Sequence, residues 1–100
     1  MVNEELIEII KAYTEVLKKE FAVEKVFLFG SFSKGTSSET SDIDLAVIIK
    51  GKVSYEDELK AMKLRRTIDL RIEPHLFSLE DLQNSHPFLE EIIRKGVIVA

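Results

Sequence analysis

The chain contains no cysteine, so neither a disulfide framework nor a zinc–thiolate centre is available to it. It also lacks any apolar run near the roughly 18 residues that a membrane span requires, and it shows no signal-peptide pattern. The expected setting is therefore cytoplasmic, away from membranes. An excess of positive charge is missing too: 14 Lys and Arg stand against 18 Asp and Glu, a net charge of −4. A broad nucleic-acid-binding surface needs clustered positive charge, so this balance disfavours nucleic acid as a partner. Only two prolines interrupt 100 residues, of which 45% are hydrophobic, enough for one core and one domain over residues 1–100. No internal repeat or low-complexity linker divides it.

The periodicities alternate between helix and strand. Asn3 can cap a helix over 4–21, in which Leu6, Ile9, Ile10, Tyr13, Val16, Leu17 and Phe21 keep helical spacing. A strand follows over 25–29, then a glycine-flanked turn, a Ser/Thr-rich loop over 36–41 and a second strand over 42–49. Gly51 ends that strand. Residues 55–66 form a helix with Leu59, Met62 and Leu64 inward, and residues 67–73 alternate Ile68, Leu70 and Ile72 with Asp69, Arg71 and Glu73 as a third strand that Pro74 stops. Ser78 with Asp81 has the spacing of a capping box, His86-Pro87 opens a last helix to Lys95, Gly96 ends it, and Val97-Ile98-Val99 adds a terminal strand. This is an α/β (α+β) pattern, a small mixed sheet flanked by helices.

Candidate functional residues concentrate between positions 30 and 44. Gly30 and Gly35 permit close backbone approach to a phosphate chain, a short helix from Ser31 would present N–H groups to it, and the Ser31 hydroxyl adds a donor. Downstream, Asp42 and Asp44 lie two apart in a strand, so they share a face, with Cα atoms roughly 6.5 to 7 Å apart. If the third strand pairs beside the second, Asp69 joins them. Three carboxylates about 5 Å apart would repel by about 3 kcal/mol per pair at an effective dielectric near 20, which calls for a bound cation or a raised pKa. An oxygen-only donor set without Cys or His suits Mg²⁺, and a pair of ions about 3.5 to 4 Å apart would serve an in-line phosphoryl displacement. Taken singly, an Asp-x-Asp pair also suits a solvated strand edge, and a Gly-Ser pair suits a turn and helix cap.

Gly30-Ser31, Gly35, Ser41-Asp42-Ile43-Asp44-Leu45 and Ile68-Asp69-Leu70-Arg71 together resemble the DNA polymerase beta-type nucleotidyltransferase superfamily. The resemblance is closest to its minimal nucleotidyltransferases, small domains often encoded beside a helical HEPN protein as a toxin–antitoxin pair. It implies a polymerase beta-type fold in which Gly30, Ser31, Lys34 and Gly35 bind the triphosphate of ATP. It further implies that Asp42, Asp44 and Asp69 are catalytic and hold two Mg²⁺ ions, with Mn²⁺ as a substitute, and that Asp69 helps to deprotonate an acceptor hydroxyl. The family often has Ala-Arg before its second glycine, where this chain has Ser33-Lys34; lysine keeps the charge but lacks the guanidinium fork. The implied reaction is transfer of AMP from ATP to a tyrosine on a HEPN-type toxin, the chain acting as antitoxin, with a homodimer as a further assembly. Two rivals stand beside it: a non-catalytic module that blocks its partner sterically, and a transferase acting on a small molecule.

Other residues have plainer readings. His75 and His86 are isolated and read as surface or cap histidines. Lys60, Lys63, Arg65 and Arg66 read as complementing the end of a helix dipole rather than as a nucleotide or RNA contact, and Arg71 and Glu73, which share the face of Asp69 and so could line the site, read first as ion-paired or solvated.

Overall fold

The computed structural model describes residues 4–30 and 42–100. Ser31, Lys34, Gly35 and the 36–41 loop lie outside the described residues. The chain enters through helix α1 (Glu4–Lys18) and continues into strands β1 (Val23–Phe29) and β2 (Ile43–Ile49). Helix α2 (Tyr55–Leu64) and a single 3₁₀ turn (Arg65–Thr67) then lead to β3 (Ile72–Ser78). Helices α3 (Leu79–Gln83) and α4 (Pro87–Lys95) and the short strand β4 (Val97–Ile98) complete it. α1 stops three residues short of the expected 21, where the amides of Glu20 and Phe21 both close on the Leu17 carbonyl at 2.9 and 2.8 Å.

The four strands form one mixed sheet in the order β3-β2-β1-β4. β1 runs antiparallel to both β2 and β4, whereas β2 and β3 are parallel, joined through α2 as a crossover. β2 is buried on both faces from Leu45 to Ile49, as a central strand between covering helices should be. On one face Leu28, Ile43, Leu45, Val47 and Ile72 pack under Leu6, Ile10, Tyr13 and Leu17 of α1 and Ala61 of α2. On the other, Phe27, Ala46, Ile48 and Phe77 pack under Leu89 and Ile92 of α4. Gly96 lets β4 tuck in: a Cβ there would stand 2.6 Å from the Ile92 carbonyl and 2.7 Å from that of Leu28.

Local chemistry sets the helix boundaries. Ser54 and Ser78 each open a helix with a reciprocal capping box, closed by Asp57 and Asp81 rather than by glutamate. His86 caps α4, its Nδ1 accepting the Leu89 amide at 3.4 Å, with Pro87 in the first turn. Among the described residues, no helix is long and apolar enough to cross a membrane.

Two expectations require correction. The third strand occupies Ile72–Ser78 rather than 67–73, and Pro74 lies inside it. β3 is an edge strand paired only with β2, which is where a residue without an N–H is tolerated. The second concerns α2, whose buried residue is Ala61; Leu59, expected inward, is 43% exposed. The small side chain of Ala61 lets α2 approach α1 closely enough for the Tyr13 hydroxyl to donate to the Ala61 carbonyl at 2.6 Å.

Candidate active site

The polar end of the sheet gathers around Asp44. It is the second residue of β2, and its ladder partners are Phe29 on β1 and Glu73 on β3, so all three side chains share the face that also carries Ala46. Asp42 is exposed just before β2. Gly30 follows Phe29 with φ +77°, a left-handed conformation that favours glycine, and a Cβ at that position would collide with Asp44 Oδ2. The β1 turn and the Asp44 carboxylate are therefore in direct apposition.

Electrostatics mark the same residue. Partial burial raises the Asp44 pKa above its ordinary value; the neighbouring His75 opposes that rise, and the Asp42 and Glu73 carboxylates add to it. His75 Nε2 lies 3.8 Å from Asp44 Oδ1, an electrostatic contact rather than a hydrogen bond. The reading of His75 as an isolated surface residue is therefore corrected. His86, by contrast, is the cap it was expected to be.

The carboxylate beside Asp44 is Glu73. Its Oε1 lies 3.2 Å from Arg65 Nη1, which also donates to the Ile72 carbonyl at 2.8 Å, so the guanidinium ties the 3₁₀ turn to β3. Asp69 has a different setting: it precedes β3, and its Oδ1 accepts from the Arg71 amide at 2.9 Å and from Arg71 Nε at 3.1 Å. Its Oδ2 accepts from Arg71 Nη2 at 2.8 Å. The Asp69 pKa is lowered, chiefly by the bond from the Arg71 side chain. A side chain that captures the amide two residues ahead offers the backbone a turn in place of a ladder, which is why 67–71 does not extend as a strand.

Asp42, Asp44 and Glu73 are oxygen donors of the type hard divalent cations take. Burial is the main reason the Asp44 acid is raised, with the Asp42 and Glu73 carboxylates adding to it. Among the described residues, no three His, Cys, Asp or Glu side chains converge closely enough to hold a metal ion as they stand; Glu73 would have to turn from Arg65. Sequence reasoning ranked Glu73 as ion-paired, which its contact with Arg65 bears out, but did not place it opposite Asp44, and it left His75 isolated, because Pro74 reads as a stop. The signal was the alternation of Glu73, His75 and Phe77, which continues straight through the proline.

Comparison with known proteins agrees with this geometry. The family model described as polymerase beta, nucleotidyltransferase matches residues 8–100. A protein of Methanocaldococcus jannaschii named "Putative protein adenylyltransferase MJ0141" is 29% identical over 103 residues, spanning 95% of this chain and 99% of its own length. Among solved structures, a toxin-antitoxin with AMP-PNP superposes with a TM-score of 0.68 at 23% identity, over 94% of this chain and 72% of that one. An MntA-HpeT toxin-antitoxin variant gives a TM-score of 0.65 at 20% identity, over 90% and 71% of the respective chains. These two share the fold. With the mixed sheet, the glycine turn against Asp44 and a family match over residues 8–100, the chain belongs to the polymerase beta nucleotidyltransferase family.

Proposed function

We propose that this nucleotidyltransferase is metal-dependent and moves AMP from ATP to a hydroxyl on a partner protein, a tyrosine of a HEPN-type helical toxin by the sequence resemblance, and so acts as an antitoxin. The observation that carries the reading is the apposition of Gly30 to Asp44, with Glu73 across the ladder. Asp42 and Asp44 are assigned as metal ligands and Glu73 as the third carboxylate, in the place the sequence reading gave to Asp69. Asp69 is assigned to the turn that launches β3. Ser31, Lys34 and Gly35 remain phosphate contacts inferred from sequence. The names of the relatives, with adenylyltransferase and toxin-antitoxin among them, support the choice of nucleotide and of a protein acceptor.

In this reaction the acceptor oxygen attacks the α-phosphorus of ATP, the bond to the β-phosphate bridging oxygen breaks, and pyrophosphate leaves with the electron pair. Mg²⁺, when bound, neutralises the triphosphate and the departing pyrophosphate. The chain's own groups position the reactants. Gly30 lets the Asp44 carboxylate sit against the β1 turn, Asp42 and Asp44 would hold the cations, and Glu73 would take the acceptor proton.

The test is to incubate the chain with Mg-ATP and the HEPN-type protein encoded beside it, and to weigh that protein intact. A gain of one nucleotide on a tyrosine is expected, and Asp44→Asn should lower its rate by at least about a hundredfold, on the scale of losing one preorganised electrostatic group. An unmodified partner under conditions where the two proteins bind would overturn the reading, as would full neutralisation of the toxin by Asp42→Asn/Asp44→Asn.

A further inference from the structure

We propose that Phe29, His75 and Phe88 form a ledge beside Asp44 on which the aromatic base of the nucleotide stacks. The inference rests on the transferase reading above and adds the base subsite to it. On the α4 side of the sheet, Ala46 is fully buried and pairs with both Phe27 and His75, giving β2 only a methyl group between its neighbours. The rings of Phe29 and His75 meet across it, centroids 5.4 Å apart and tilted by 56°. Phe88, from the first turn of α4, meets Phe29 edge-on at 6.2 Å and Phe77 at 6.0 Å.

Core packing explains Phe27 and Phe77, each 7% exposed, but not Phe88, which is half exposed in an aromatic cluster whose other end reaches a charged site. His75 supplies that link: its Nε2 lies 3.8 Å from Asp44 and its side chain remains 40% exposed. Open aromatic surface continuous with the carboxylates suits a ligand that is anionic at one end and planar at the other. A nucleotide has that form, and its ribose tethers the base within reach of its phosphates. Every base offers a π face to such a ledge, and an imidazole adds a ring nitrogen for the base edge.

The experiment measures binding of ATP and of inorganic tripolyphosphate, each with Mg²⁺, to the full chain by calorimetry. Phe88→Ala should weaken ATP about tenfold, within the range known for one base–aromatic stack, while leaving tripolyphosphate unchanged, and Phe88→Trp should restore ATP binding. Unchanged tripolyphosphate affinity also shows that the variant is folded. Equal weakening of both ligands, or none of either, would overturn the ledge. So would a Phe88→Ala variant that binds ATP normally but shows a raised KM for the acceptor protein, since the surface would then hold the acceptor. If the parent chain binds tripolyphosphate as tightly as ATP, the ledge falls and the transferase reading stands; if it binds neither, both fall.

Discussion

Asp69 and Glu73, four residues apart, are each paired with an arginine but differ in what else they face, and that contrast is testable. Asp69 accepts three bonds from Arg71, one of them from its backbone amide, while Glu73 faces Asp44 across the ladder. Glu73→Gln is expected to abolish most transfer with little loss of stability, whereas Asp69→Asn should retain transfer and lower stability by about 1 to 2 kcal/mol at pH 7, the scale of charge-assisted bonds. Because the folded-state pKa of Asp69 is depressed below its unfolded value near 3.9, its contribution is present above that value and is lost as pH falls through the folded one. Urea unfolding should therefore separate parent and Asp69→Asn at pH 7 and bring them together at strongly acidic pH. A variant of Asp69 that folds normally but cannot transfer would restore that residue to the metal site.

At the scale of elements, the site depends on how α1 and α2 hold the crossover between β2 and β3. The Tyr13 hydroxyl, fully buried, bridges the two helices by donating to the Ala61 carbonyl at 2.6 Å. Burial raises its phenol pKa well above the ordinary range, so it remains a neutral donor throughout the working pH. Arg65 acts one turn later, tying the end of that crossover to Ile72 and Glu73. Tyr13→Phe removes a single buried bond to a helix carbonyl; stability should drop by about 1 kcal/mol in chemical denaturation with transfer unchanged. A loss of transfer without loss of stability would instead mean that the α1–α2 contact sets the geometry at Glu73.

For the molecule as a whole, the proposed cation site can be tested through stability. Burial raises the Asp44 pKa, with Asp42 and Glu73 adding to the rise and His75 opposing it, so ionisation there opposes folding. In EDTA at pH 7, Asp44→Asn should melt above the parent. The gain should disappear once the solution is acidic enough to protonate Asp44 in both the folded and unfolded states. Adding Mg²⁺ or Mn²⁺ should reverse the order: a cation at a hundred times its dissociation constant stabilises the parent by about 2.7 kcal/mol, and the variant should not respond. Parent protein whose melting is indifferent to both ions would count against carboxylate-bound metal.

Element types were legible because they follow from short-range periodicity. The apolar run of β2 needs only its neighbours in sequence, as does the capping box at Ser78. The glycine at position 30 was legible as a turn, but its apposition to Asp44 was not, since that contact joins two strands. The partner acid lay beyond local reasoning for the same reason. Which residue of a parallel neighbour stands opposite Asp44 is a matter of register, set by Ile43 against Ile72 in the shared core and by the turn that Asp69 and Arg71 close. Thus the sequence by itself determined the strand that carries Asp44 and the glycine turn before it, properties of single segments. Only tertiary packing decided that Glu73 stands opposite Asp44 and that Phe88 meets Phe29, because both depend on contacts between segments distant along the chain.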